Sequence, residues 1–218
     1  MSGFTRSPRL LKGAIIGVDP FNPLASIIVF QYNPDSLIRT ITPNVAQAGT
    51  ASPGEALRFA GPPGETISLD IEVDATDQLE QAKAPATSMG VHPTLASLEM
   101  LLYPKSALVI SNAVLAAIGS TEIIPAEAPL TLFIWGIKRV VPVKLTNLTI
   151  TEEAFDTSLN PIRAKARVAM KILTYQDLGL LSIGGALFMV HQVVKETMAT
   201  INGIGSLAAA ASFSVSVG

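Results

Sequence analysis

Two stretches of strict alternation constrain this chain more than any other feature. From Thr66 to Thr76, Ile67, Leu69, Ile71 and Val73 take every second place, with Ser68, Asp70, Glu72 and Asp74 between them. From Pro161 to Tyr175, Ile162, Ala164, Ala166, Val168, Met170 and Ile172 oppose Arg163, Lys165, Arg167 and Lys171. A period of two belongs to a strand, whose successive side chains leave on opposite faces. Each stretch is therefore a strand with one apolar face; the other face is acidic in the first and basic in the second. Like charges in a row repel, so the economical arrangement sets the two stripes side by side, within one chain or between subunits. Separate solvation of each stripe is the alternative, and it would leave the register unspecified.

Shorter runs extend the β pattern. Ala14 to Val18 and Ser26 to Asn33 flank Asp19-Pro20-Phe21-Asn22-Pro23 and read as a hairpin. In its second arm Ile27 and Val29 oppose Ile28, Phe30 and Tyr32, which predicts burial on both faces. Pro129 to Gly136 has the same doubly apolar character, Leu130, Leu132 and Ile134 against Phe133 and Trp135. After a tight turn at Gly136, Lys138 to Thr151 forms a further strand. Its apolar parity moves from Val141, Val143 and Leu145 to Leu148 and Ile150, which requires a bulge or bend near Thr146-Asn147.

Between the strands, Thr42 to Glu65 is rich in Pro, Gly, Ala and Ser and reads as a long loop, either mobile or an arm that orders on a neighbour. Pro93 suits the first position of a helix, and Leu95, Leu98, Leu101 and Leu102 recur at helical spacing until Tyr103-Pro104. Many short strands and one helix predict a mainly β fold, a barrel or sandwich with a single flanking helix. Beyond Asp177 only Lys195 and Glu196 are charged; Ala186 to Ile201 can form a helix, and Gly203 to Gly218, of low complexity, reads as a disordered terminus, with docking on a partner ring or peripheral membrane contact as the alternatives. The chain divides into an arm (1–12), a β domain (13–178) and an apolar extension (179–218).

Composition adds one inference. Hydrophobic residues make up 49% of the 218 and charged residues 15%, against roughly 25% charged in an average soluble chain. Such a surface is buried against a membrane or against other subunits. The long uncharged stretches, Ser106 to Thr121, Leu178 to Val194 and Thr197 to Gly218, are each interrupted by polar or small residues. None makes a convincing span of about 20 apolar residues, so assembly is favoured over stable membrane insertion. The start, with Arg6, Arg9 and Lys12, lacks the apolar run of a secretion signal. A net charge of −2 predicts no nucleic-acid partner.

The chemical motifs are sparse. With no cysteine there is no disulfide, thiolate ligand or thiol nucleophile. Gly61-Pro62-Pro63-Gly64 lacks the spacing of a phosphate loop. His92 and His191 stand far apart without ligand-spaced neighbours, and read as residues of helices rather than of a metal site. No Gly-x-Ser-x-Gly elbow is present. Glu152, Glu153 and Asp156, or Asp70, Glu72 and Asp74, could supply paired carboxylates, but strand alternation and a turn at Leu159-Asn160-Pro161 account for them without chemistry. No catalytic residue, metal or cofactor is expected. A cell-wall-binding or hydrolytic module would need a concave site that these residues do not mark.

Ordered blocks point further. They are Phe30-Gln31-Tyr32-Asn33-Pro34, Leu69 to Asp77, Leu95 to Pro104, Phe133-Ile134-Trp135-Gly136, Arg139 to Val143, Ile150 to Asp156 and Leu159 to Ala164. In this order they resemble the tube and tube-baseplate adaptor proteins of contractile injection systems, the phage-tail-like machines that include type VI secretion tubes and extracellular injection particles. The resemblance covers residues 12 to 178 and is nearer the adaptor branch. It implies a tube-like β-barrel assembled as a hexameric ring between the inner tube and the baseplate or spike hub, made in the cytoplasm. Bulk tube subunit is the alternative within the same machine. Asp70, Glu72, Asp74, Arg163, Lys165, Arg167, Lys171 and Trp135 are the candidate subunit-interface residues. Adaptor relatives can carry a C-terminal LysM-type module; residues 179–218 are too short and too apolar for one, and are expected instead to contact a sheath, baseplate or spike component.

Overall fold

A computed structural model describes residues 11–18, 27–45, 58–81, 86–117 and 128–215, with side chains of the last helix as far as Ser206. Among these residues seven strands run β1 (Ala14–Val18), β2 (Ile27–Val29), β3 (Leu37–Thr42), β4 (Gly64–Asp74), β5 (Leu130–Ile134), β6 (Val140–Phe155) and β7 (Pro161–Ile172). All pair antiparallel in one sheet of order β2-β1-β5-β6-β7-β4-β3. Among the described residues six helices accompany them: α1 (Thr76–Glu80), α2 (Ala86–Met89), α3 (His92–Glu99), α4 (Ser106–Ala117), α5 (Tyr175–Leu178) and α6 (Ile183–Val215).

The two alternating stretches form β4 and β7, neighbours at the heart of the sheet. Their inner residues, Ile67, Leu69, Ile71 and Val73 with Ala164, Ala166, Val168, Met170 and Ile172, are buried. They join Phe133 of β5, Val141 and Val143 of β6, Ile15, Phe30, and Leu95 and Leu98 of α3 in one core. The bulge lies where the parity changes: the β6–β7 register shifts between Leu145 and Asn147, and Thr146 Oγ1 donates to Ala169 O at 3.1 Å. Extra twist at a bulge curls a sheet. The curl carries Gln31, just past edge strand β2, to the end of β4, where its Oε1 accepts from Asp74 N at 2.9 Å. Among the described strands no ladder links β2 to β3, so both remain edges.

Double burial of the second arm is corrected by the structure. Ile28 and Phe30 are buried, but Ile27 and Val29 are 44% and 55% exposed and Tyr32 is half-exposed. β2 is a three-residue edge strand paired only to β1, and nothing described in the same chain covers its outer face. On β5, Phe133 and Thr131 are buried while Leu130, Leu132 and Ile134 are half-buried. The hairpin turn between β1 and β2 lies outside the described residues.

The long loop is shorter than expected. β3 was not foreseen, β4 begins at Gly64, and a Val45–Phe59 bridge with Ala60 N donating to Asn44 O at 2.9 Å extends their pairing. Residues 46–57 of that loop lie outside the description. α3 starts at His92 with Pro93 in its first turn, as its sequence predicts, and buries Leu95 and Leu98; Leu102 is exposed. The structure adds α4 after it in the chain. The low-complexity tail continues as helix, since α6 runs to Val215.

Local chemistry explains two junctions. Asp156 closes the β6–β7 hairpin by accepting from Ser158 N at 2.7 Å and Asn160 N at 2.8 Å, and Asn160 Nδ2 returns to Asp156 Oδ2 at 2.8 Å. Before α5, Thr174 and Asp177 form a capping box, with Thr174 N donating to Asp177 Oδ2 at 2.8 Å and Gln176 N to Thr174 Oγ1 at 3.2 Å.

Candidate assembly surfaces

The charged ladder follows from strand register. Asp70 stands opposite Arg167, Glu72 opposite Lys165 and Asp74 opposite Arg163. Arg167 grips Asp70 with Nε and Nη2 at 2.9 and 3.3 Å, and Arg163 Nη2 lies 2.9 Å from Asp74. Lys165 leans instead to Glu153 on β6 at 3.4 Å, and Lys171 to Asp177 at 3.1 Å. The acidic and basic stripes thus meet within one chain. The Arg167 hydrogen bond holds the Asp70 carboxyl below its usual range and raises the guanidinium in turn. Burial would raise Asp74, but hydrogen bonds from Thr76 and Arg163 outweigh it and leave it lowered.

Trp135 is half-buried against Phe133, at 6.0 Å between ring centroids, and Phe30, at 6.4 Å. A Cβ at Gly13 would collide with Phe30 and Trp135, so this corner packs backbone against ring. Among the candidates, the ladder residues share one outer sheet face, and Trp135 stands apart from them beside the core.

A second constellation escaped the sequence reading. Glu65 falls on the inner parity of β4, two places before Ile67, and is buried. Arg39 of β3 holds its Oε1, with Nε at 2.7 Å, and Lys195 of α6 reaches its Oε2 at 2.9 Å. Burial would raise the Glu65 carboxyl; the Lys195 and Arg39 hydrogen bonds outweigh that and lower it. His191, one turn before Lys195, is buried with both ring nitrogens lacking a hydrogen-bond partner. Burial, then Lys195, lowers its pKa, so the neutral ring is favoured. Glu65, His191 and Lys195 line a groove of about 830 Å³ between α6 and the β3–β4 hairpin. The signal for Glu65 was a charge at an apolar parity position.

Exposed apolar side chains cluster at three places: the outer face of β2, β3 with Ile38 and Ile41, and helices α4 and α6. Among the described residues no cluster of three or more His, Cys, Asp or Glu is placed to hold a metal, and no helix is long and apolar enough to cross a membrane.

Comparison with known families decides what such a subunit is. The family described as contractile injection system tube protein matches residues 19–178. The chain belongs to that family. As a contractile injection system tube protein it is a structural subunit of a phage-tail-like machine, and assembles with other tail components. A solved chain from the "Virion of native gene transfer agent (GTA) particle" is similar at 13% identity, over 73% of this tube protein and 90% of that chain, with a TM-score of 0.31. No curated protein matches.

Proposed function

We propose that this tube protein forms a six-membered ring at the junction of the inner tube with the baseplate and spike hub, giving the first tube layer its register. What carries the reading is the pair of open sheet edges. β2 exposes Ile27 and Val29, and β3 exposes Ile38, 64% accessible, with Ile41. An unpaired apolar edge is a template for another strand, and a subunit with two unlike edges closes into a ring when the rotation between copies fits. The outward ladder of Asp70, Glu72, Asp74, Arg163, Lys165, Arg167 and Lys171, with Trp135, supplies further contacts at the faces of the ring.

Support for the junction, rather than the length of the tube, comes from residues 179–218. They lie beyond the region matched by the family and carry an exposed apolar helix. In this proposal 13–178 is the ring domain, and 179–218 serves additional contacts. No catalysis, nucleic acid or membrane insertion is involved, and assembly begins in the cytoplasm. The family's description as a tube protein favours the second reading, a bulk tube subunit.

Imaging of intact particles with a count of copies tests both. About six copies at the tube base support the junction ring. Hundreds along the tube assign the chain to the bulk tube, and absence from the particle overturns both readings.

A further inference from the structure

The C-terminal helix has two faces with different fates. Gly184, Gly185, Phe188 and His191 are buried against the rest of the chain, and Lys195 is tied to Glu65. Past Lys195 the contact ends: every described side chain from Glu196 to Ser206 is exposed. A helix draws most of its stability from packing an apolar face. This portion includes Gly203 and Gly205, which meet nothing among the described residues and weaken a helix. No stabilising contact for this portion is found among the described residues of the chain.

The residues at issue name the kind of contact. Ile183, Leu187, Val190, Val194, Thr197, Ile201 and Ile204 follow one another at alternating spacings of four and three, the seam of a coiled coil. Leu187 and Val194 are half-buried, while Val190, Ile201 and Ile204 are 62%, 64% and 65% exposed. The seam lies about a third of a turn from the buried face, so a neighbour can occupy it without displacing α6 from the sheet.

We propose that α6 is a self-association element, packing along this seam against α6 of neighbouring copies of the same chain. The absence of flanking charge favours a second copy over a different helix. Ala186, Val193 and Thr200 on one side and Gly184, His191, Met198 and Gly205 on the other include no Asp, Glu, Lys or Arg, whereas charged flanks are what select unlike partners. The breadth of the stripe, with Val193 and Met198 exposed beside it, suits a bundle in which each helix touches two neighbours. β-branched residues at both seam positions favour more than two strands. The seam from Ile183 to Ile204 is about 33 Å long, and a stripe about 10 Å wide gives about 660 Å² counted over two copies, less than the roughly 1,000 Å² of a free-standing interface, so the seam adds to contacts between copies that are already neighbours. The inference rests on the ring reading only in requiring that copies be neighbours.

The chain has no cysteine, so single thiols report cleanly. Ile201→Cys places one in the seam, and Ala199→Cys places one on the opposite side of the same turn; both sites are exposed. Each full-length variant is treated with a short bis-maleimide, alone and in particles. Seam neighbours raise the local thiol concentration, so Ile201→Cys should give at least about tenfold more copy-to-copy product than Ala199→Cys. Equal yields, no product from Ile201→Cys, or a product with a different protein overturns the proposal. A particle count that places the chain in a ring while Ile201→Cys stays unlinked removes the seam alone; linked copies absent from particles remove the ring alone.

Discussion

Lys195 of α6 donates to Glu65 of β4 at 2.9 Å across 130 positions of sequence, and Arg39 of edge strand β3 holds the other carboxylate oxygen. One buried acid therefore fastens three elements: the sheet edge, its neighbouring strand and the C-terminal helix. Because Glu65 stands where an apolar residue would fit the strand pattern, its charge is tolerated only through these two partners.

Replacement of Glu65 by Gln should lower stability by about 2 kcal/mol, less than a fully buried pair would lose because Lys195 is half-exposed. Urea denaturation measures this, and limited proteolysis should release α6 sooner. An unchanged midpoint together with an unchanged cleavage rate would contradict the fastening role.

Acid should act in two windows. His191 titrates below its ordinary 6.5 in the fold, so as pH falls under 6.5 the unfolded chain takes the proton first and stability declines toward the lowered folded value. Glu65, lowered from 4.5, contributes stability that is present above 4.5 and is lost as pH falls further. His191→Leu should abolish the first decline and leave the second. Urea midpoints in one buffer above 6.5 and one between 6.5 and 4.5 decide it; a variant that declines as steeply as the parent chain excludes His191 as the cause.

Gly90 joins α2 to α3 at φ +55°, with Val91 N donating to Pro161 O at 2.9 Å. A Cβ there would stand 2.2 Å from Pro161 O. Gly90→Ala must strain the backbone and push this loop off the β6–β7 hairpin, for a loss of about 3 kcal/mol. Thermal unfolding reads the loss, and a midpoint within error of the parent would show that the junction yields freely.

Reversal of one member of the ladder, Asp70→Arg or Arg167→Asp, puts like charges opposite one another and should lower the unfolding midpoint modestly. The double reversal should recover most of the loss, since both side chains are exposed and the pair is local. Failure of the double variant to recover would mean that a third group, not the pair, sets the cost.

Much of the sheet was legible because side-chain parity is a local property. The alternation around Asp70 and Arg167 located β4 and β7, the parity change at Thr146-Asn147 located the bulge, and Pro93 located the start of α3. β3 was missed because Leu37 to Thr42 is short and mixed in character, and it becomes a strand by pairing with β4. Glu65 was missed because the Pro-Gly composition before it masked where β4 begins.

The sequence by itself determined the side-chain parity of β4 and β7, the complementary stripes and the helix start, since each depends on residue type and on spacing along the chain. Only the tertiary structure decided which strands are edges, that Glu65 joins α6 to β3, and which stripe of α6 is left uncovered. Those depend on contacts between residues far apart in sequence, and burial is a property of the neighbours that the fold brings, not of the side chain alone.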